Sequence, residues 1–121
     1  MSSKKILVVD DSKTERHVLT TILEKNGYQV FTAESGAEAL SKADELRPDL
    51  ILMDVVMPGT NGFQATRTIS KNEATKHIPI IICSSKGQET DRIWGLRQGA
   101  REYVVKPVKV AELLQKIAAL S

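Results

Sequence analysis

The sequence predicts an open, doubly wound α/β domain: a parallel sheet with helices packed on both faces. Short apolar runs rich in branched residues alternate with longer amphipathic stretches along the whole chain. Most of these runs lack the polar–apolar alternation of a half-exposed strand, as expected for strands covered on both sides. The chain has 121 residues, enough for one compact domain that buries about two-thirds of the surface its unfolded form exposes.

Ile6-Leu7-Val8-Val9 is a buried strand, and Ser12-Lys13-Thr14-Glu15 is a Ser-x-x-Glu capping box that opens a helix. That helix carries Val18, Leu19, Ile22 and Leu23 at helical spacing and stops at Gly27, a natural left-handed cap. Tyr28 to Thr32 forms a second, weaker strand. A further capping box, Ser35-Gly36-Ala37-Glu38, opens a helix through Ala39, Leu40, Ala43 and Leu46 that ends before Pro48. Leu50 to Met53 is the third strand. After Met57-Pro58-Gly59, the stretch Asn61 to Gln64 caps a helix reaching about Ser70. Ile78 to Cys83 is the fourth strand, with Pro79 tolerated only near its start. A helix from about Gln88 to Arg97, a short strand Tyr103 to Val105 and a last helix Ala111 to Leu120 complete the chain. On the helix after strand four, Ile93, Leu96 and Ala100 fall at i, i+3 and i+7 and are expected to face the core, with Trp94 on the shoulder.

Five strands alternating with five helices, joined by right-handed crossovers, put every strand's carboxyl end on one edge, where such sheets bind ligands. Asp10 and Asp11 come after strand one, Asp54 ends strand three, Ser84 and Ser85 end strand four, and Lys106-Pro107 ends strand five. If strands one and three are neighbours, the three carboxylates lie roughly 5–7 Å apart, where each like-charge pair costs about 2–3 kcal/mol at an effective dielectric near 20. Such a cluster calls for a cation, and oxygen ligands with open positions suit Mg²⁺, which keeps several waters. Taken singly, each residue has a plainer role. Asp11 can cap the next helix, Ser84 can belong to a turn, and Lys106 can be a solvated surface charge. Their joint placement on strand ends is what points to a site.

Other classes lose ground on composition and motif. Lys plus Arg is 17 against 15 for Asp plus Glu, a net charge of +2 with the basic residues scattered, so direct DNA binding is not expected. The single cysteine, Cys83, excludes an intrachain disulfide and reads as a buried small hydrophobe. His17 and His77 have no partners at ligand spacing and are expected on the surface. The uncharged stretch beginning at Val55 is short and holds Pro58, Gly59 and Gly62, and only four apolar residues come after Lys4-Lys5. Neither membrane insertion nor a signal peptide is expected, and the chain reads as cytoplasmic. Asp10-Asp11-Ser12 stands where a dinucleotide-binding glycine loop would join strand one to its helix, and no nucleoside-triphosphate loop is present. A metal-assisted hydrolase could use the carboxylates, but the connections are short and offer little pocket wall or lid.

Over its whole length, 1–121, the chain resembles the CheY-like receiver domain of two-component response regulators. The stretches that carry this are Ile6 to Ser12, Met53 to Gly62, Ile78 to Ser84 and Gly99 to Pro107. The runs Asp10 to Glu15, Asp54 to Arg67, Gln88 to Asp91 and Trp94 to Ala100 are further similar to the PilH type of stand-alone regulator of type IV pilus (twitching) motility. The resemblance implies a five-stranded parallel sheet of order 2-1-3-4-5 with five helices. It implies that Asp54 is the phosphoacceptor, charged by a CheA-like histidine kinase. Mg²⁺ would be held by Asp10, Asp11, Asp54 and the backbone carbonyl of Val56. Ser84 and Lys106 would bind phosphoryl oxygens, with Tyr103 following the movement of Ser84. A cis Lys106-Pro107 peptide and a tight backbone at Gly62 belong to the same pattern. Ser84 stands where threonine is commoner and keeps the hydroxyl.

The function so implied is a signalling switch and not a metabolic enzyme. It would catalyse only its own phosphorylation and dephosphorylation and would change its binding to a motility or pilus-associated protein. The alternative is a phosphorylation-independent receiver-fold scaffold or a phosphate sink. The last helix is expected to close the chain without an output domain, so the output surface is expected on this domain, with Trp94 as a partner-facing anchor.

Overall fold

A computed structural model describes residues 4–57 and 61–120. The Pro58, Gly59 and Thr60 part of the motif lies outside the described residues. The elements run β1 (Lys5–Val9), α1 (Lys13–Lys25), β2 (Gln29–Ala33), α2 (Gly36–Leu46), β3 (Leu50–Met53), α3 (Gly62–Lys71), β4 (Ile80–Ser84), α4 (Glu89–Arg97), β5 (Glu102–Val105) and α5 (Val110–Leu120). The strands form one sheet in the order β2-β1-β3-β4-β5, and every pairing is parallel. This is the CheY-like architecture that the resemblance implies.

The unbroken apolar strands have a direct structural cause. Alternate residues of β1 and β3 enter opposite layers: Leu7, Val9, Ile51 and Met53 pack with Ala39 and Ala43 of α2 and Ala65 and Ile69 of α3. Their neighbours Ile6, Val8, Leu50 and Leu52 pack with Leu19 and Leu23 of α1 and Leu113 and Ile117 of α5. Neither face meets water, so neither needs polar residues. A smaller cluster of Val55, Ile82, Ala100 and Tyr103 lies toward α4.

Element ends match their signals within one or two residues. Gly27 adopts φ +88° just beyond α1, as a left-handed cap requires. α2 stops before Pro48 with Arg47 itself left-handed at φ +46°. Arg47 is held there by donating from Nε to the Asp44 carbonyl (2.7 Å) and from Nη1 to the Ala74 carbonyl (3.2 Å). β4 begins at Ile80, two residues later than expected, because Pro79 has no N–H to donate and contributes only its carbonyl, to Ile51 (3.0 Å). Ser84 thereby becomes the last residue of the strand.

Both Ser-x-x-Glu boxes form only in part. Ser12 Oγ accepts from the Glu15 N–H and Ser35 Oγ from the Glu38 N–H. The reciprocal bonds differ: the Ser12 N–H donates to Asp10, and the Glu38 carboxylate accepts from Glu34, one residue before the cap. The expected core stripe of α4 holds at Ala100, which is buried, and is corrected at Ile93. Ile93 is 41% exposed, and within the helix only Gly95 is buried. A Cβ at Gly95 would lie 2.8 Å from Ile82 Cδ1 and 3.0 Å from Tyr103 Cδ2, so α4 seats on the sheet through a bare Cα. Val18 on α1 likewise faces outward, at 47% exposure, while Leu19 and Leu23 are buried. His17 and His77 are exposed and Cys83 is buried, as expected, with burial pushing the Cys83 thiol up to about 12.

One buried polar group bears on stability. Thr66 on α3 is fully buried, and its hydroxyl has no hydrogen-bond partner among the described residues. An unsatisfied buried hydroxyl costs about 1–3 kcal/mol, and valine has the same shape without it. Thr66→Val is therefore expected to stabilise the fold by about 1 kcal/mol, raising the melting midpoint by about 3–6 °C. Thermal and urea unfolding of the variant beside the wild type check this.

Candidate functional site

The parallel sheet delivers the residues at its carboxyl edge to one place. β1 and β3 are adjacent, with Val9 opposite Met53, so the next residues of each strand, Asp10 and Asp54, come together. The Asp54 N–H donates to the Val9 carbonyl (2.9 Å), which extends the pairing by one residue into the site. Asp10, Asp11 and Asp54 each offer a carboxylate oxygen, all within 4.8 Å of one another. Asp10 and Asp54 are buried, at 2% and 7% exposure, and Asp11 stands at the open side. Clustered hard oxygen donors with one exposed member fit a small divalent cation that retains water.

Lys106, carried by β5 two strands away from β3, reaches across the edge. Its Nζ donates to Asp10 Oδ2 at 2.7 Å and lies 3.8 Å from Glu15 Oε2. The Lys106–Pro107 peptide is cis, as the resemblance implies. The ion pair leaves Asp11 and Asp54 without an ion-pair partner among the described residues. Burial pushes the Asp54 carboxyl above its usual range and the charge of Asp10 adds to this, while Lys106 and the Val56 and Val55 N–H groups oppose the shift without cancelling it. Burial pulls the Lys106 ammonium down, but the hydrogen bond and charge of Asp10, with Asp54 and Glu15, hold it above its ordinary value.

Ser84 is fully buried at the end of β4, and its Oγ accepts from the Lys86 N–H (3.2 Å). The Lys86 carbonyl in turn accepts from the Tyr103 hydroxyl (2.6 Å). Tyr103 is buried, at 8% exposure, and burial raises its phenol. On the other flank, Val56 N–H donates weakly to Asp54 Oδ1 (3.4 Å), and the Val56 side chain is 51% exposed. Gly62 closes the backbone beside Asp54. A Cβ there would fall 2.0 Å from the Asp54 carbonyl oxygen, so the first turn of α3 is pressed directly onto the residue after β3.

The structure thus brings together Asp10, Asp11, Asp54, Ser84 and Lys106, with Tyr103 linked to Ser84 through Lys86. Trp94 does not belong to this group; it stands on α4, 50% exposed. Two residues at the site were not anticipated. Arg16 Nη1 donates to the Asp10 carbonyl (2.8 Å) while Nη2 pairs with Glu34 (3.2 Å), fixing the backbone that carries Asp10. Glu15 adds a fourth carboxylate facing Lys106. Both lie one turn into α1, and their only signal in the sequence is their position on the helix after β1.

This fold and edge define a class. The family model described as the response regulator receiver domain matches residues 6–118, and the chain belongs to that family of two-component signalling modules. Within it, the chain is 53% identical over 116 residues to protein PilH of Pseudomonas aeruginosa, covering 96% of each chain. Among solved structures it is similar to the chemotaxis protein CheY4 of Vibrio cholerae, with TM-score 0.92 and 32% identity over 99% of this chain and 100% of that one. It is also similar to the receiver domain of a sensor histidine kinase from P. aeruginosa, which has a magnesium ion coordinated in its active site cleft. That similarity has TM-score 0.91 and 33% identity over 98% of each chain. Among the described residues, no helix is long and apolar enough to cross a membrane.

Proposed function

We propose that the chain is a phosphorylation switch in which Asp54 accepts a phosphoryl group from a phosphohistidine of a partner CheA-like kinase in the cytoplasm. The supporting observation is a buried Asp54 at the end of β3, flanked by two further carboxylates, with Lys106 and Ser84 at the ends of the neighbouring strands. An Asp54 carboxylate oxygen attacks phosphorus, the phosphorus–nitrogen bond breaks, and the imidazole leaves with the electron pair. Such transfers depend on positioning and charge neutralisation far more than on covalent help from the protein. Asp10, Asp11, Asp54 and the Val56 carbonyl would hold Mg²⁺, which when bound offsets the charge of the incoming phosphoryl group. Lys106 exchanges Asp10 for a phosphoryl oxygen, and Ser84 Oγ donates to another.

The output depends on the bond that Ser84 gives up. Its Oγ now accepts from the Lys86 N–H, and Lys86 holds the Tyr103 hydroxyl. Turning the hydroxyl toward Asp54 releases the start of the β4–α4 connection. Tyr103 packs against Gly95, the neighbour of Trp94, so α4 is the element positioned to report the change to a motility or pilus-associated partner. Phosphorylation with acetyl phosphate and Mg²⁺ is expected to change Trp94 fluorescence. Lys106→Arg is expected to reduce that change more than it reduces phosphate incorporation, because a guanidinium fork does not reproduce a point contact. Trp94→Ala is expected to leave incorporation intact. Fluorescence titration paired with intact mass tests the reading, and an unchanged Trp94 signal in fully phosphorylated protein counts against α4 as the output face.

A further inference from the structure

We propose that the cleft between α3 and α4 docks a short acidic segment of a partner protein, its carboxylate on Arg67 and its apolar side chain against Trp94 and Phe63. The cleft has a volume of about 370 Å³ and is lined by Asn61, Phe63, Gln64, Arg67, Trp94 and Gln98. It lies apart from the carboxylate cluster. It rests on the reading of α4 as a partner face, and not on the phosphorylation of Asp54.

The leading observation is Gln98. It is only 7% exposed and lines the cleft, yet its side-chain amide makes no hydrogen bond among the described residues. The amide atoms are not sealed off but open to the cleft, so their donor and acceptor are available to a ligand. A peptide unit, which has one donor and one acceptor, is its complement.

Charge points the same way. Among the described residues, no carboxylate lines the cleft. Arg67 has no ion-pair partner among the described residues, and the first turn of α3 carries no acidic residue to answer its helix dipole. Asn61 Oδ1 is already used to accept from the Gln64 N–H (2.9 Å), which leaves its NH₂ as a further donor at the rim. The ligand is therefore anionic. A single guanidinium suits a carboxylate, whereas a phosphate site would gather several donors in a glycine-rich loop. The two aromatic side chains supply apolar surface beside the cation, the combination that anchors protein segments.

The helices that flank the cleft approach each other closely. A Cβ at Gly99 would fall 2.3 Å from Ser70 Oγ, so the backbone just beyond α4 packs closely on the end of α3. At the other end Gly62 presses α3 onto Asp54.

The test is a titration of the full ¹⁵N-labelled chain with the peptide acetyl-Asp-Leu-Asp-Leu-amide, with its isostere acetyl-Asn-Leu-Asn-Leu-amide and with adenosine monophosphate. The expected result is saturable movement of the Gln98, Gln64 and Asn61 side-chain amide signals with the acidic peptide. The isostere should bind at least about tenfold more weakly. Arg67→Gln, an exposed change that spares the fold, should weaken the acidic peptide by a similar factor, and Gln98→Leu should weaken both peptides. Binding should persist in Asp54→Asn, which separates this inference from the phosphoacceptor reading. Absence of saturable shifts, equal affinity for the isostere, indifference to Arg67→Gln, or saturation by adenosine monophosphate in preference to the peptide would overturn the proposal.

Discussion

Asp54→Asn is expected to abolish phosphate incorporation altogether, because no other side chain in the site can replace it. Asp10 is 2% exposed, its Oδ1 accepts from the Ser12 N–H (2.9 Å) and its Oδ2 from Lys106 (2.7 Å), so before phosphorylation both oxygens already accept a hydrogen bond. Asp11 is exposed and precedes a helix instead of ending a strand, so it cannot approach a phosphorus atom aligned between Ser84 and Lys106. Asp54, by contrast, meets only backbone N–H groups and lies just beyond β3 within the field of Lys106. The amide of asparagine preserves size and can still accept from the Val56 N–H (3.4 Å in the wild type). Loss of incorporation would therefore report lost nucleophilicity and not a collapsed site. Intact mass after incubation with Mg²⁺ and acetyl phosphate reads the result directly: one added phosphoryl group on the wild type and none on the variant. Uptake of one group by Asp54→Asn at a comparable rate would show that the acceptor lies elsewhere.

The site is legible in the sequence because its residues sit where the periodicity of the strands stops. Ile6 to Val9 and Leu50 to Met53 are unmistakable as buried strands, and the residue after each of them must lie on the carboxyl edge. Strand order is not readable from the pattern of elements. It comes from the resemblance, and with it the adjacency that brings Asp10 to Asp54. Three features stay hidden for physical reasons. α4 packs through Gly95, and a glycine contributes nothing to a hydrophobic stripe, so the visible pattern wrongly places Ile93 on the core face. The capping boxes are local patterns, but Asp10 and Glu34 compete for the bonds that would complete them. The Lys106–Asp10 pair joins residues 96 positions apart, a geometry no local window contains.

Removing charge at Asp54 is expected to stabilise the metal-free protein even as it destroys function. Asp54 is buried beside Asp10 and Asp11, and its own ion-pair partner is taken, since Lys106 is bonded to Asp10. Burial and the charge of Asp10 raise the Asp54 carboxyl above its ordinary value of 3.8. A carboxyl whose folded pKa lies above its unfolded one contributes most to stability below the unfolded value. That contribution is lost as pH rises through the folded pKa, so at neutral pH the ionised group opposes folding. With metal removed by EDTA, Asp54→Asn should therefore melt higher than the wild type at pH 7, by a few degrees for about 1 kcal/mol. The difference should shrink as pH falls through the raised folded value, where the wild-type carboxyl takes up its proton. A divalent cation opposes the same strain from the other side. Mg²⁺ at ten times its Kd should stabilise the wild type by RT ln(1 + [Mg²⁺]/Kd), about 1.4 kcal/mol. It should stabilise Asp54→Asn much less, because a ligand charge is gone. Differential scanning calorimetry of both proteins, with and without Mg²⁺ at pH 7 and pH 4.5, separates the two effects. A wild-type melting curve indifferent to millimolar Mg²⁺ would remove the metal site, and an Asp54→Asn protein less stable than the metal-free wild type at pH 7 would remove the charge strain.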